Sequence, residues 1–197
     1  MITLQKIQEA QKRIAPFINY TPLVFSKYLS NNSKVKLKLE SLQITGSFKL
    51  RGAINKLLLL SENQKQKGVI AVSTGNHGKG VAYAANILGI KSTIFMSSMV
   101  PIFRKEAIEA LGAKVKIVGN NSDEADQYAR ELAKKENITL IHPFDDEEII
   151  AGQGTVGLEM LETFPEVDTV VVPTSGGGLS GGIALAIKSQ KPEVKII

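Results

Sequence analysis

The 197-residue chain has no cysteine and only two histidines, His77 and His142. Without Cys there is no disulfide framework, no thiolate nucleophile and no Cys-ligated zinc, which fits a reducing compartment. Two histidines alone cannot build a metal site, so none is expected. Long apolar runs are also missing. No segment reaches the roughly 20 apolar residues that a membrane-spanning helix needs, and Lys6, Glu9, Lys12 and Arg13 interrupt the stretch from Met1 to Phe17 where a signal peptide would carry its apolar core. The composition therefore leads us to expect a cytoplasmic protein with no membrane partner.

What is present is ordinary for a globular chain: 43% apolar and 22% charged residues. At roughly 150 residues per domain the length falls between one domain and two, enough to bury a core. The 24 basic residues outnumber 19 acidic ones for a net charge of +5. They are mostly Lys, scattered along the chain, and read as solvated helix faces. A nucleic-acid footprint would cluster Lys and Arg with interleaved aromatics. An anionic small ligand suits this charge better.

Apolar spacing predicts alternating helices and strands. Thr3 caps a helix with Leu4, Ile7, Ala10 and Ile14 on one face, ended by Pro16. The run from Val35 to Glu40 alternates apolar and charged residues like a half-exposed strand. A turn at Gly46 precedes a helix from Phe48 to about Ser61. Strands are then expected at Val69–Val72, Ser92–Met96, Lys114–Val118, Thr139–Ile141, Thr169–Val172 and Val194–Ile197. Helices are expected to about Leu88, over Arg104–Leu111, over Ser122–Asn137 with Ser122 as cap, from about Gly154 to Phe164 after an acidic stretch at Asp145–Glu148, and to Lys188. This order predicts an α/β fold with a mostly parallel sheet and right-handed crossovers. Ending inside an apolar strand, the chain reads as part of a longer domain.

Three glycine-bearing turns stand between strand and helix, where exposed backbone N–H groups and the helix dipole favour anions. The last, Ser175-Gly176-Gly177-Gly178-Leu179-Ser180-Gly181-Gly182, also satisfies G-x-G-x-x-G, but no acidic residue ends the next strand as a dinucleotide site would want. Three successive glycines favour a phosphate cup over a plain tight turn, because no Cβ blocks the backbone. The middle turn, Ser73-Thr74-Gly75-Asn76-His77-Gly78, could hold a carboxylate or phenolic oxygen. Equally, Ser73 and Thr74 could cap the helix while His77 is a satisfied structural residue. In the first turn, Lys49 stands early in a helix, where the dipole disfavours positive charge. A Schiff-base lysine near a phosphate cup would account for that placement.

Taken in order, several motifs resemble the serine/threonine dehydratase and serine racemase family of fold type II pyridoxal-phosphate enzymes. They are Lys38 to Gln43, Thr45-Gly46-Ser47-Phe48-Lys49-Leu50-Arg51-Gly52-Ala53, Ser73 to Gly78, Leu111-Gly112-Ala113, Ile141-His142-Pro143-Phe144-Asp145-Asp146, Ile150 to Thr155 and Val172 to Gly178. The resemblance implies parallel open sheets with helices on both faces. A small domain, 68-146, would be inserted in a large pyridoxal-phosphate-binding domain, 1-67 and 147-197, that is incomplete at its C-terminus. It implies pyridoxal 5'-phosphate as cofactor, with a Schiff base on Lys49, Phe48 near the ring, Asn76 at the phenolic oxygen, and Ser175, Gly176, Gly177, Gly178 and Leu179 around the phosphate. Ser73, Thr74, Gly75 and His77 would line the substrate carboxylate pocket.

The implied reaction converts L-threonine or L-serine to a 2-oxo acid and ammonia by β-elimination of water, with Lys49 as the base at Cα. Deprotonated lysine is needed there, and burial would lower its pKa. Thr74 stands where racemase relatives carry a serine hydroxyl opposite the lysine, so racemisation is an alternative. A non-catalytic homologue is another. Ser175 replaces a glycine common in the phosphate loop. The relatives' residue at the pyridine nitrogen and their metal site would both fall after Ile197. A homodimer is the implied assembly.

Overall fold

In the computed structural model, which describes residues Met1–Ile197, local chemistry accounts for most element boundaries. Helix α1 (Leu4–Ile14) starts where Thr3 Oγ1 accepts the Lys6 amide at 3.3 Å, buries Ile7, Ala10 and Ile14, and ends with Lys12 and Arg13 in its last turn. Pro16, which has no N–H to donate, lies in the single 3-10 turn that follows. Strands β1 (Leu23–Phe25) and β2 (Lys36–Lys38) form an antiparallel pair with Val24 opposite Leu37. Of the strand expected over Val35–Glu40 only Lys36–Lys38 forms, and its faces are exchanged. Leu37 is 41% exposed, while the Lys38 side chain is buried against Glu159. Charge pairing has overridden the apolar-inward rule.

The helix expected from Phe48 to about Ser61 is α2 (Lys49–Leu58), and a short helix that was not expected, α3 (Glu62–Lys67), follows it. Ser61 separates them with a capping box: its side chain accepts from the Gln64 amide, and the Gln64 side chain accepts from the Ser61 amide. There follow β3 (Val69–Val72), α4 (Asn76–Ile87), β4 (Ser92–Met96), α5 (Ile102–Glu109), β5 (Lys114–Ile117), α6 (Ser122–Glu136) and β6 (Thr139–Leu140). The four strands make one parallel sheet in the order β5-β4-β3-β6. Ser122 is not the cap of α6; Asn121 is, and its side chain accepts the Glu124 amide at 2.9 Å.

Helix α7 (Glu147–Thr163) begins seven residues before the expected Gly154. Asp146 caps it by accepting from the Glu148 and Ile149 amides, so the acidic stretch is its first turn, where the dipole favours it. Gly152 and Gly154 hid this helix from a propensity reading. They are there for packing. A Cβ on Gly152 would lie 2.6 Å from the Arg51 carbonyl oxygen, and one on Gly154 would lie 2.8 Å from Ile7 Cδ1. The chain closes with β7 (Thr169–Val170), α8 (Gly178–Lys188) and β8 (Lys195–Ile196), the two strands parallel.

The fold is thus α/β with mostly parallel sheets, as expected. The largest buried cluster joins Ile14, Leu50, Ile54 and Leu57 to Val69, Ala71, Ile94 and Met96 of the sheet, to Val81 and Ala85 of α4 and to Ile149 of α7. Helices α2 and α7 therefore share a core with the four-stranded sheet. A second cluster, including Val156, Val170, Ile183 and Val194, lies under α8. No helix is long and apolar enough to cross a membrane.

Candidate active site

Lys49 is the first residue of α2, and close packing fixes its backbone. Gly80 of α4 lies so near that a Cβ there would be 3.1 Å from the Lys49 carbonyl carbon. The amine donates to the Pro143 carbonyl oxygen at 2.7 Å and sits 5.2 Å from the centre of the Phe48 ring. A neutral carbonyl does little to hold an ammonium in its charged form. Burial therefore decides, and it draws the Lys49 amine below the ordinary lysine value. The Thr45 and Ser47 hydroxyls, in the turn leading into Lys49, are buried without a protein partner.

The carbonyl that meets Lys49 belongs to a turn that also reaches the triple glycine. His142 Nδ1 accepts the Asp145 amide at 2.8 Å and the Phe144 amide at 3.3 Å, and the His142 and Phe144 rings meet edge to face with centroids 4.7 Å apart. A Cβ on Gly176 would run into the Phe144 ring, and one on Gly178 would lie 2.8 Å from the Phe144 carbonyl oxygen. Gly177 has φ +83°, a left-handed conformation that side chains disfavour. Packing and turn geometry thus account for all three glycines, and a ligand is not required to explain them. What points to an anion is the helix start itself. Helix α8 has no side-chain cap, and Ser175, Gly176 and Gly181 are exposed at its mouth.

The middle turn has the same character. Helix α4 is preceded by Gly75 and has no side-chain cap, so Ser73 and Thr74 do not serve as caps. Ser73 Oγ instead accepts the Gly75 amide at 3.2 Å, and the Thr74 carbonyl accepts from Arg104 at 3.2 Å. Asn76 is exposed at the helix start, while Thr74 is half-buried. The His77 ring is buried and faces the Ile141 carbonyl at 2.9 Å through Nε2, which leaves that ring committed to the backbone. Desolvation holds its pKa down at about 4, so it is neutral. Leu179 is half-buried and packs on the cluster beneath α8.

Beneath Lys49 lies a charge network that sequence reasoning missed. Arg51, fully buried, forks onto Glu40 at 2.8 and 2.8 Å and onto Glu159 at 2.6 and 2.9 Å, and Glu159 also meets Lys38 at 2.5 Å. Burial pulls Lys38 below its ordinary value even though Glu159 opposes it. Two cations and two anions balance, and together they tie α2 to α7. The sequence signal was Arg51 itself, an arginine among the largely apolar residues of α2. One surface recess, about 400 Å³ and lined by Gln8, Gln11, Leu158 and Glu162, lies away from Lys49. Another, about 270 Å³, is bordered by His142, Pro143 and Phe144.

A lysine amine biased toward its neutral form and an adjacent aromatic ring thus share one neighbourhood with two uncapped helix starts. Such a site can hold an anion and move a proton. The family model described as "Pyridoxal-phosphate dependent enzyme" matches residues 14–197. The catabolic L-threonine dehydratase TdcB of Staphylococcus aureus strain N315 is 50% identical over 200 residues, covering all of this chain and 58% of that protein. Maize serine racemase superposes with a TM-score of 0.95 at 37% identity, over 99% of this chain and 60% of the other. The processed form of threonine deaminase isoform 2 from Solanum lycopersicum does so at 0.94 and 36% identity, over 98% of this chain and 54% of the other. The chain thus spans between 54% and 60% of the length of these relatives.

Proposed function

Because the chain belongs to the pyridoxal-phosphate dependent enzyme family, we propose that it contributes the lysine-bearing part of an ammonia-lyase acting on L-threonine or L-serine. The carrying observation is Lys49: a half-buried amine, unpaired with any carboxylate, drawn toward its neutral form beside an aromatic ring. The half-identical threonine dehydratase supports the reaction class.

The residues suit the cofactor. Lys49 would hold it through its amine, Phe48 would pack beside its ring and Asn76 would face its phenolic oxygen. Ser175, Gly176, Gly177, Gly178 and Leu179, at the uncapped start of α8, would take its phosphate, and the unpartnered Thr45 and Ser47 hydroxyls leave further donors. When bound, pyridoxal phosphate supplies an electron sink for the charge left at the substrate Cα. The protein's own part is positioning and proton transfer. Ser73, Thr74 and Gly75, with the backbone N–H groups that begin α4, would orient the substrate carboxylate. His77 supports this turn from beneath through Ile141. Freed by the incoming amino group, the Lys49 amine in its unprotonated form would take the Cα proton; the β-hydroxyl would leave as water, and one water returning in hydrolysis would give the 2-oxo acid and ammonia.

The proposal includes the division into a small domain, 68-146, and a large one formed by 1-67 and 147-197. Its support is that the four-stranded sheet is drawn entirely from residues 69–140. Cytoplasmic location belongs to the same reading. The test is release of 2-oxobutanoate from L-threonine with pyridoxal phosphate added, with chiral analysis of recovered amino acid. Lys49→Ala should abolish turnover, and retained turnover in that variant would overturn the assignment.

A further inference from the structure

His142 takes no part in the chemistry above, yet its ring closes the turn on which both halves of the site rest. Imidazole Nδ1 accepts two backbone amides, those of Phe144 and Asp145. It can do so only when unprotonated, with the proton on Nε2. Within the closed turn the Pro143 carbonyl faces the Lys49 amine, and Phe144 fills the space over Gly176 and Gly178. The Phe144 ring stands edge-on to the imidazole. Four residues thus join the lysine to the glycine turn, and one ring nitrogen holds them in shape.

We propose that His142 is a positioning residue that sets Pro143 against Lys49 and Phe144 against the triple glycine, and that its protonation in acid releases both. This inference rests on the lyase reading only for its consequence in catalysis. The turn itself is a property of the chain.

The charged groups around the ring decide the pH range. Burial lowers the His142 pKa, and Arg130 of α6 lowers it further, while Asp145, Asp126 and Asp146 oppose them. Asp123 lines the recess beside His142, and the buried neutral His77 of α4 is the other titratable group that feels the His142 charge. The net direction is downward, so the turn is closed at neutral pH. A group whose folded pKa is depressed stabilises the fold above its unfolded value, and that stability is lost as pH falls through the folded value. The closed turn should therefore hold at pH 7 and open below 6.5, the ordinary imidazole value. Protonation would set an N–H against two N–H donors.

Two variants separate the roles. His142→Asn keeps an acceptor that can close an Asx-type turn but cannot titrate; His142→Ala keeps neither property. The amide signals of Phe144, Asp145, Gly176 and Gly177 in the chain without cofactor, followed by nuclear magnetic resonance from pH 5 to 8, read the turn directly. In the parent chain all four should move with one midpoint below 6.5. In His142→Ala they should be displaced at every pH, and in His142→Asn they should stay near their neutral-pH positions throughout. Pyridoxal phosphate affinity, read by visible absorbance, should fall about tenfold in His142→Ala, the size expected from losing the turn's hydrogen bonds. It should recover in His142→Asn. If Gly176 and Gly177 stay unmoved in His142→Ala, the proposal is overturned. If the parent chain forms no band with pyridoxal phosphate, the lyase reading fails, and the amide signals still decide the role of His142.

Discussion

Replacing Arg51 by Met should destabilise the chain by about 3–5 kcal/mol, the range for breaking a buried ion pair by removing one partner. Met keeps much of the apolar stem and removes the guanidinium. Six side-chain hydrogen bonds go with it: two to Glu40, two to Glu159, one to Thr155 at 3.1 Å and one to Thr21 at 3.4 Å. Lys38 is then the single cation facing two carboxylates, and one buried negative charge stands uncompensated. Domains of this size are stable by only about 5–15 kcal/mol, so the loss is a large fraction. Arg51→Lys should cost less, about 1–3 kcal/mol, because charge is kept while the fork is lost. The double variant Arg51→Met with Glu159→Met removes one charge of each sign. It should be less destabilised than the sum of the two single variants. Urea denaturation followed by circular dichroism gives these values, with a constant slope confirming that the unfolding reaction is unchanged. If Arg51→Met costs under about 1 kcal/mol, or if the two substitutions simply add, then charge compensation is not what holds α2 to α7.

Acid should destabilise the fold through His77, whose value of about 4 lies below the ordinary 6.5. Its contribution, at most about 3 kcal/mol, is fully present above pH 6.5 and lost as pH falls through 4. His77→Gln should flatten that part of the stability profile measured by urea denaturation. The glycines of the α8 turn should differ in kind. Gly177→Ala should cost about 1–2 kcal/mol from its left-handed backbone alone, with nothing nearby to clash. Gly176→Ala should cost about 1–3 kcal/mol by displacing Phe144. Phe144→Ala should relieve the second substitution and not the first in a double-mutant cycle.

Several strand cores and the cap of α1 were legible in the sequence because they are decided locally, while the caps of α4 and α6 were not. Ser92–Met96 matched residue for residue, and Thr3 capped α1 as its spacing required. Helix α7 was read too short because glycine is a poor helix former in isolation, and only the close approach of Arg51 and Ile7 explains why it is there. The inverted faces of β2 had the same origin, since pairing of Lys38 with Glu159 joins residues 121 apart in sequence. Lys49 drew notice through its misfit with the helix dipole together with the two other anion-binding turns. The Pro143–Phe144 turn was not, because its importance lies in two contacts across the fold. The triple glycine attracted notice for phosphate binding, while the structure shows that Phe144 and a left-handed φ also demand it.

The central claim is that Lys49, among 20 lysines, is the amine that engages pyridoxal phosphate. Mixing the chain with the cofactor at pH 7, reducing with sodium borohydride and mapping the label by peptide mass tests it directly. The account predicts a single modified peptide containing Lys49, unlabelled in Lys49→Ala. Label spread over exposed lysines, or unchanged in Lys49→Ala, would contradict it.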